Sequence, residues 1–257
     1  MVLTILIGVF GLFHPQTAEV KPANGGVLIV ETGAERIVLE GRLRARFTVS
    51  QVAGQPVRVS ARDGGPADLL LSIPGRIERR FHGSLQITAR DGELILVIAM
   101  DRETAVASAV AAESPPGAPI EALKAQAVVT RSYYAAARGR HAGFDFCDTT
   151  HCQFLRSPPG PTEPVRAATI QTRGLILFYR GATLPALYSA NCGGRTLALP
   201  ESADGEYPYF EVDCPRHGPV AGHGLGLCQQ GAASMAAAGA DFRRILDHYF
   251  PNTRITD

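Results

Sequence analysis

The sequence has almost no net charge with which to attract a charged partner. Its 257 residues carry 25 Lys and Arg against 24 Asp and Glu, a formal net charge of +1. No run of Lys and Arg is interleaved with aromatic residues. Because such a chain has no basic field for phosphate backbones, we expect no nucleic acid partner. With 46% apolar and 19% charged residues, the composition is that of a globular protein with one large or two smaller domains.

Three other signatures are missing. The glycine-rich stretch at 222–226 lacks the Lys-Ser/Thr completion of a phosphate loop, so we expect no nucleotide. Ser189 lacks a Gly-x-Ser-x-Gly elbow, which argues against a serine hydrolase that would pair it with His223. The apolar residues 1–13 are too short for a membrane span, and no Lys or Arg precedes them. We favour a buried first strand there, with a signal peptide as the alternative.

Four metal-binding side chains fall within twelve residues: His141, Cys147, His151 and Cys152. Two thiolates and two imidazoles form a suitable ligand set for a tetrahedral, structural Zn²⁺ site. Adjacent His151 and Cys152 can reach one ion only from a turn, so we predict a loop. One alternative is a Cys147–Cys152 disulfide with two surface histidines. The other is a catalytic zinc that binds water in place of His141.

The remaining cysteines are Cys192, Cys214 and Cys228, an odd set that allows one disulfide at most. Cys192–Cys214 is the pair to test. We expect Cys228 to be a buried thiol with no catalytic role. The five cysteines therefore leave the redox compartment open.

Short β-branched runs separated by turn residues predict that residues 1–100 are mostly β. Asp91-Gly92 is a strong hairpin signal between two alternating runs. The predicted strands lie at 26–30, 36–39, 57–60, 69–72, 84–88 and 94–98.

The pattern changes after residue 100. Residues 104–112 fit either helix or strand, and residues 120–138 form a helix with one apolar face, between Pro119 and Gly139. The chain is predicted to be α+β, with a β-rich portion (1–100) packed on a mixed α/β catalytic core (101–257) that has a zinc-pinned loop. Further elements are helices at 165–172, 229–238 and 242–249, and strands at 175–179 and 184–189.

Several blocks between residues 101 and 250 resemble, in order, the stage II sporulation protein D and amidase-enhancer family of bacterial cell-wall proteins. One departure is Ser114, where the family usually has Met. The blocks are Glu113-Ser-Pro, Glu121-Ala-Leu-Lys-Ala-Gln-Ala, Arg131-Ser-Tyr, Cys147-Asp-Thr-Thr-His-Cys-Gln, Ser189-Ala-Asn-Cys-Gly-Gly-Arg-Thr, Tyr207-Pro-Tyr and Gly222-His-Gly-Leu-Gly-Leu-Cys-Gln.

The resemblance implies a lytic transglycosylase outside the cytoplasm. Such an enzyme cleaves the MurNAc-GlcNAc β-1,4 bond of peptidoglycan glycan strands and forms a 1,6-anhydro sugar. The alternative is a noncatalytic glycan-binding module that stimulates a cell-wall amidase. In either case the zinc would hold the fold and take no part in bond cleavage.

Transglycosylation needs one carboxyl group that arrives protonated, and therefore a raised pKa in a partly desolvated place. Glu113 is the candidate, since it follows an apolar run and precedes Ser-Pro-Pro, where the backbone leaves regular structure. Glu121 is the runner-up, although the first turn of a helix depresses a carboxyl pKa. The alternatives are a solvated loop carboxylate for Glu113 and a helix N-terminal charge for Glu121.

The predicted substrate-binding residues are polar or aromatic and lie within the matching blocks or next to them. The alternatives are a solvated helix face for Lys124 and Arg131, and core packing for the tyrosines. These residues are Lys124, Gln126, Arg131, Tyr133, Tyr188, Ser189, Asn191, His223 and Gln229.

Overall fold

The structure is a computed structural model that describes residues 3–137, 139, 141–200 and 207–256. The chain divides into two compact units. The first comprises residues 1–108 with 139–158, and the second comprises residues 109–138 with 159–257. Each unit is therefore assembled from two separate stretches of the chain.

Most of the first unit is β-structure. A four-residue helix, α1 (Val49–Val52), interrupts the strands, and α2 (Arg102–Glu113) begins in this unit and ends in the second. The strands are β1 (Thr4–Val9), β2 (Thr17–Pro22), β3 (Val27–Thr32), β4 (Glu35–Glu40), β5 (Ala45–Thr48), β6 (Val57–Ser60), β7 (Ala67–Ile73), β8 (Ile77–Arg90), β9 (Glu93–Asp101) and β10 (Phe146–Cys147).

These strands form one ten-stranded sheet. Its main path runs β10-β1-β9-β8-β6-β3-β4, while β7 also pairs with β8, and β2 pairs with β7 and β5. All pairs are antiparallel except β1 and β10, in which Ile7 lies opposite Phe146. The predicted hairpin at Asp91-Gly92 is confirmed: both residues have positive φ, 52° and 80°, which matches the twist of the flanking strands β8 and β9.

The second unit is built around one helix, α3 (Ile120–Ala136). Every residue from Ala122 to Tyr134 except Lys124 is buried, because other helices and a strand surround α3. The other elements are α4 (Pro164–Gln171), β11 (Ile176–Tyr179), β12 (Ala182–Thr183), β13 (Tyr188–Ser189), β14 (Leu227–Cys228), α5 (Gln229–Ala237), α6 (Phe242–Tyr249) and β15 (Arg254–Thr256). Strands β12-β11-β15 form one small sheet, and β13 pairs in parallel with β14.

The predicted mixture of α and β structure is confirmed, with a large β-rich sheet and six α-helices among the described residues. A strand occupies the middle of the apolar 1–13 segment, and 104–112 is helical, within α2. The last residue of the helix predicted at 120–138, Arg138, lies outside the described residues. No helix in the described part of the chain combines the length and apolarity that a membrane span needs.

Three details of the prediction were wrong. Helix α3 was expected to have one apolar face, but it is buried on all sides. The expected strand at 184–189 is reduced to the two residues of β13. Strand β8 begins at Ile77, seven residues before the predicted start at 84, and this first part pairs with β7. The sequence pattern did not indicate it, since charged residues lie between Glu78 and His82.

Candidate functional site

Glu113 is the last residue of α2, where Ser114-Pro115-Pro116 ends the helix. Its side chain is half-buried. The last carbonyl groups of a helix have no partner within the helix. The Glu113 carbonyl instead accepts a 2.8 Å hydrogen bond from the side-chain Nε2 of Gln229, the first residue of α5. The end of α2 is thus fixed by one of the residues predicted to bind substrate.

The Tyr188 hydroxyl lies within electrostatic range of the Glu113 carboxylate. The pKa of the Tyr188 hydroxyl is raised well above its ordinary value, first by burial and then by the negative charge of Glu113. Tyr133 and Tyr134 also raise the pKa of Tyr188. The centroids of their own rings lie 6.1 Å apart in an edge-to-face arrangement. Tyr188 therefore stays protonated and keeps a hydroxyl proton that can be donated close to the candidate acid.

Tyr133 and Tyr188 were predicted to contact substrate. The charge of Glu113 acts on Tyr188, and Tyr133 lies within electrostatic range of Tyr188. Tyr134, which also acts on Tyr188, was not among the predicted substrate contacts. Neighbouring helix positions point about 100° apart, so its place beside Tyr133 in the sequence did not indicate a shared site.

Glu121, the runner-up acid, has both carboxylate oxygens engaged. Oε1 lies 2.5 Å from the Lys124 ammonium group, and Oε2 accepts a 2.9 Å hydrogen bond from the backbone N–H of Phe242. Phe242 is the first residue of α6, so this N–H has no partner within its own helix. Glu121 thus caps α6 and holds Lys124, and these are structural tasks.

Two polar residues of α3 lie inside the second unit. The Gln126 side chain is buried, its Nε2 lies 3.5 Å from the Thr130 hydroxyl, and its Oε1 has no hydrogen-bond partner among the described residues. Arg131 has no exposed surface. Its guanidinium donates to three backbone carbonyls, those of Ala127, Thr169 and Leu175, at 3.1–3.4 Å. Arg131 therefore ties α3 to its neighbours, which sequence periodicity did not indicate.

Ser189 ends β13, Asn191 lies two residues later, and both are buried. The Ser189 hydroxyl has no hydrogen-bond partner in the described part of the chain. Asn191 exchanges two backbone hydrogen bonds with Ala221, at 2.8 and 3.1 Å, and its Oδ1 accepts from the Gly193 N–H. A Cβ at Gly222 would lie 2.9 Å from that of Ser189, so the glycine lets this loop approach β13.

His223, in the same loop, is held by the backbone. Its Nδ1 accepts a 3.0 Å hydrogen bond from the Leu225 N–H. Partial desolvation lowers the pKa of the ring, and a hydrogen bond with the Tyr188 backbone offsets part of that shift. Because Ser189 has no hydrogen bond to His223, the two do not form the nucleophile and base of a serine hydrolase.

The four predicted metal ligands come together in the first unit. The ligand atoms of His141, Cys147, His151 and Cys152 all lie within 4.8 Å of one another. His141 Nε2 is 3.2 Å from the Cys152 sulfur, and His151 Nδ1 lies 3.6 and 3.8 Å from the two sulfurs. Both cysteines are free thiols, so the alternative disulfide is not formed. Two sulfurs and two ring nitrogens in one cluster fit a tetrahedral Zn²⁺ ion.

A buried ion pair supports this loop. Asp148, next to the predicted ligand Cys147, accepts a 2.9 Å hydrogen bond from Arg79 and longer ones from the Phe10 N–H. Burial raises the pKa of Asp148 despite the opposing charge of Arg79. The Arg79 guanidinium also lies 5.3–6.0 Å from three aromatic rings. Sequence reasoning missed this pair, since 69 residues separate its members.

A cavity of about 610 Å³ also lies in the first unit, lined by His14, Arg46 and Arg76 among others. None of the residues predicted from the sequence to bind substrate or metal lines it.

Part of the sequence is similar to known proteins. Residues 90–179 match the family model of SpoIID, a stage II sporulation protein. This segment of the chain is therefore similar to the SpoIID family. An uncharacterised protein of Brachyspira hyodysenteriae is 32% identical over 119 residues, which are 45% of this chain and 32% of that protein. The amidase enhancer of Bacillus subtilis is 32% identical over 118 residues, which are 46% of this chain and 16% of that protein.

This chain therefore matches less than a third of the length of either relative. The resemblance to the SpoIID and amidase-enhancer family is confirmed. The SpoIID match contains Glu113 and all four residues of the His/Cys cluster, whereas Tyr188 and Gln229 lie beyond its end. The residues around Glu113 thus combine the matched segment with the sequence that follows it.

Proposed function

We propose that this protein is a peptidoglycan lytic transglycosylase that acts outside the cytoplasm, with Glu113 as general acid and then base. The match to SpoIID and the similarity to an amidase enhancer support a cell-wall role. The observation that carries the catalytic proposal is the placement of Glu113, which is half-buried at the end of α2, acts electrostatically on Tyr188, and has its backbone carbonyl held by Gln229.

The chemistry requires one carboxyl group that acts twice. Glu113, protonated, donates its proton to the glycosidic oxygen between MurNAc and GlcNAc while the bond to C1 breaks. The resulting carboxylate then removes the proton of the sugar's own 6-hydroxyl, whose oxygen bonds to C1. The products are a 1,6-anhydro sugar and a free GlcNAc hydroxyl, and no water is consumed. A glycosidase that uses water needs a second carboxylate at a fixed separation.

The surrounding side chains would have supporting roles. Tyr188, protonated at all physiological pH values, offers a hydroxyl donor beside the reacting carboxyl group. Gln126 Oε1 and the Ser189 hydroxyl are buried polar atoms without partners among the described residues, and a glycan hydroxyl or acetamido group would satisfy them. Tyr133, Asn191 and His223 complete the proposed surface.

Lys124 and Arg131 receive different assignments. The Lys124 ammonium group pairs with Glu121, and its other N–H groups would bind an acidic group of the substrate. Arg131 holds the backbone around α3, so we assign it a structural task and no contact with the glycan.

We propose that His141, Cys147, His151 and Cys152 hold a structural Zn²⁺ ion. Four protein ligands leave no open coordination position, so the ion would contribute folding energy to the first unit. The buried pair of Arg79 and Asp148 would fix the ligand loop in position. Nothing in the proposed reaction passes through the metal.

The decisive experiment uses glycan strands stripped of their peptides. Wild-type protein should produce anhydro-sugar ends detectable by mass spectrometry, and Glu113→Gln should produce none while keeping its far-UV circular dichroism and glycan binding. Glu121→Gln is the matched control and should retain product formation. A wild-type protein that binds glycan and releases no anhydro ends would refute the enzyme proposal. Undiminished product from Glu113→Gln would refute the residue assignment.

A second candidate function rests on the name of one relative, an amidase enhancer. In this version the protein binds glycan strands and stimulates a cell-wall amidase without cleaving a bond itself. Release of stem peptides by an added amidase would then rise in the presence of both wild type and Glu113→Gln. The transglycosylase proposal predicts that any effect on the amidase disappears in Glu113→Gln.

A further inference from the structure

Three cysteines meet in the interior of the second unit. Cys192, Cys214 and Cys228 are each 95% or more buried, and their sulfurs all lie within 4.8 Å of one another. All three are free thiols. They come from different places in the chain: Cys192 follows β13, Cys214 lies in the long loop before β14, and Cys228 ends β14. The fold therefore gathers three sulfurs that no local sequence motif would bring together.

Backbone N–H groups point at each of these sulfurs. The Gly194 N–H hydrogen-bonds the Cys192 sulfur, and the Arg216 N–H hydrogen-bonds that of Cys214. The Cys228 sulfur accepts from the N–H groups of Cys192 and Gly231, both at 3.4 Å. A neutral thiol is a weak acceptor, whereas donors gathered around a sulfur stabilise negative charge on it. The four donors suit metal-bound thiolates.

The neighbourhood limits the number of ligands to three. No His, Asp, Glu or further Cys among the described residues joins this group. The Tyr249 hydroxyl is 3.3 Å from the Cys214 sulfur and closes one side. A Cβ at Gly231 would collide with that hydroxyl and with the same sulfur, so the helix backbone can approach only as glycine.

We propose that Cys192, Cys214 and Cys228 form a second metal site, which binds one Cu⁺ ion through three thiolates. With metal–sulfur bonds of about 2.3 Å, a trigonal site separates its sulfurs by about 4.0 Å, within the observed spacing. Thiolates select soft ions such as Cu⁺, and Zn²⁺ prefers four ligands. Binding releases the thiol protons to solvent, and the backbone donors offset the remaining negative charge.

The test uses the full-length protein with Zn²⁺ supplied to the His141, Cys147, His151 and Cys152 cluster, so that the first unit keeps its proposed metal. This protein, with reduced thiols, is titrated with Cu⁺ against a competing chelator, and the variants are prepared in the same way. One equivalent should bind, and X-ray absorption should find three sulfur neighbours. Adding Cys228→Ser should weaken binding about tenfold or more, and Cys192→Ser should do the same if the first variant folds poorly by circular dichroism.

Three results would overturn the proposal. The first is a Cu⁺ affinity that neither cysteine variant changes. The second is a bound ion with fewer than three sulfur neighbours. The third is a disulfide between any two of the three cysteines in protein isolated without reductant, because one remaining thiol cannot form the site. Glycan cleavage plays no part in these readouts, so the failure of the proposed enzyme function would leave them unchanged.

Discussion

Replacing Glu121 should separate a structural carboxylate from the proposed catalytic one. In the structure Glu121 accepts the Phe242 N–H at the start of α6 and pairs with Lys124. A hydrogen bond to a charged group contributes about 1.5–3 kcal/mol, and an ion pair within one helix adds about 0.3–0.5 kcal/mol. Glu121→Ala should therefore lower the free energy of unfolding by about 2–3 kcal/mol.

Glu121→Gln keeps an acceptor for the Phe242 N–H but loses the charge, so its cost should be smaller, about 1 kcal/mol. Urea denaturation followed by far-UV circular dichroism measures both, since the chain has no tryptophan to report by fluorescence. The control is Glu211→Gln, which removes an exposed pair with Arg195 and should cost less than about 0.5 kcal/mol. The capping argument fails if Glu121→Ala is as stable as this control, or if Glu121→Gln alone abolishes product formation.

Three further predictions concern packing and charge. Gly231→Ala should lower the free energy of unfolding by about 1–3 kcal/mol in urea denaturation, because its Cβ meets the Cys214 sulfur; wild-type stability would contradict the close packing there. Asp148→Ala should lower the free energy of unfolding by about 3–5 kcal/mol, because it leaves the buried charge of Arg79 unpaired. Arg79→Met combined with Asp148→Leu should lower it much less. Strict additivity in a double-mutant cycle would refute this. Because the pKa of His223 is lowered in the folded protein, the stability that it contributes is present above pH 6.5 and is lost as the pH falls through its folded pKa. His223→Asn should therefore reduce the fall of the free energy of unfolding below pH 6.5. An unchanged pH dependence would contradict the lowered pKa.

The parts of the fold that were predictable have local causes. Asp91-Gly92 specifies a hairpin through its own backbone preferences. Helix α3 was located from its composition and its flanking Pro119 and Gly139. The His/Cys cluster spans only twelve residues, so short-range geometry was enough to predict that its ligands meet in a loop.

The parts that escaped prediction depend on contacts between distant segments. Arg131 was predicted to bind substrate, with a solvated helix face as the alternative, because nothing local signals that its guanidinium donates to carbonyls of other elements. The Arg79–Asp148 pair and the gathering of three cysteines require the complete topology. The roles of Glu113 and its neighbours in catalysis remain predictions, which the substitutions above address.

The hydrogen bond from Gln229 to the Glu113 carbonyl joins residues 116 positions apart. A ribosome therefore completes the candidate acid long before it makes the side chain that fixes the end of α2. The tyrosine beside that acid, Tyr188, is also made late. A nascent or truncated chain that stops before residue 229 would lack this anchor. On the proposed function, the candidate acid would therefore gain its anchor only after residue 229 has been synthesised.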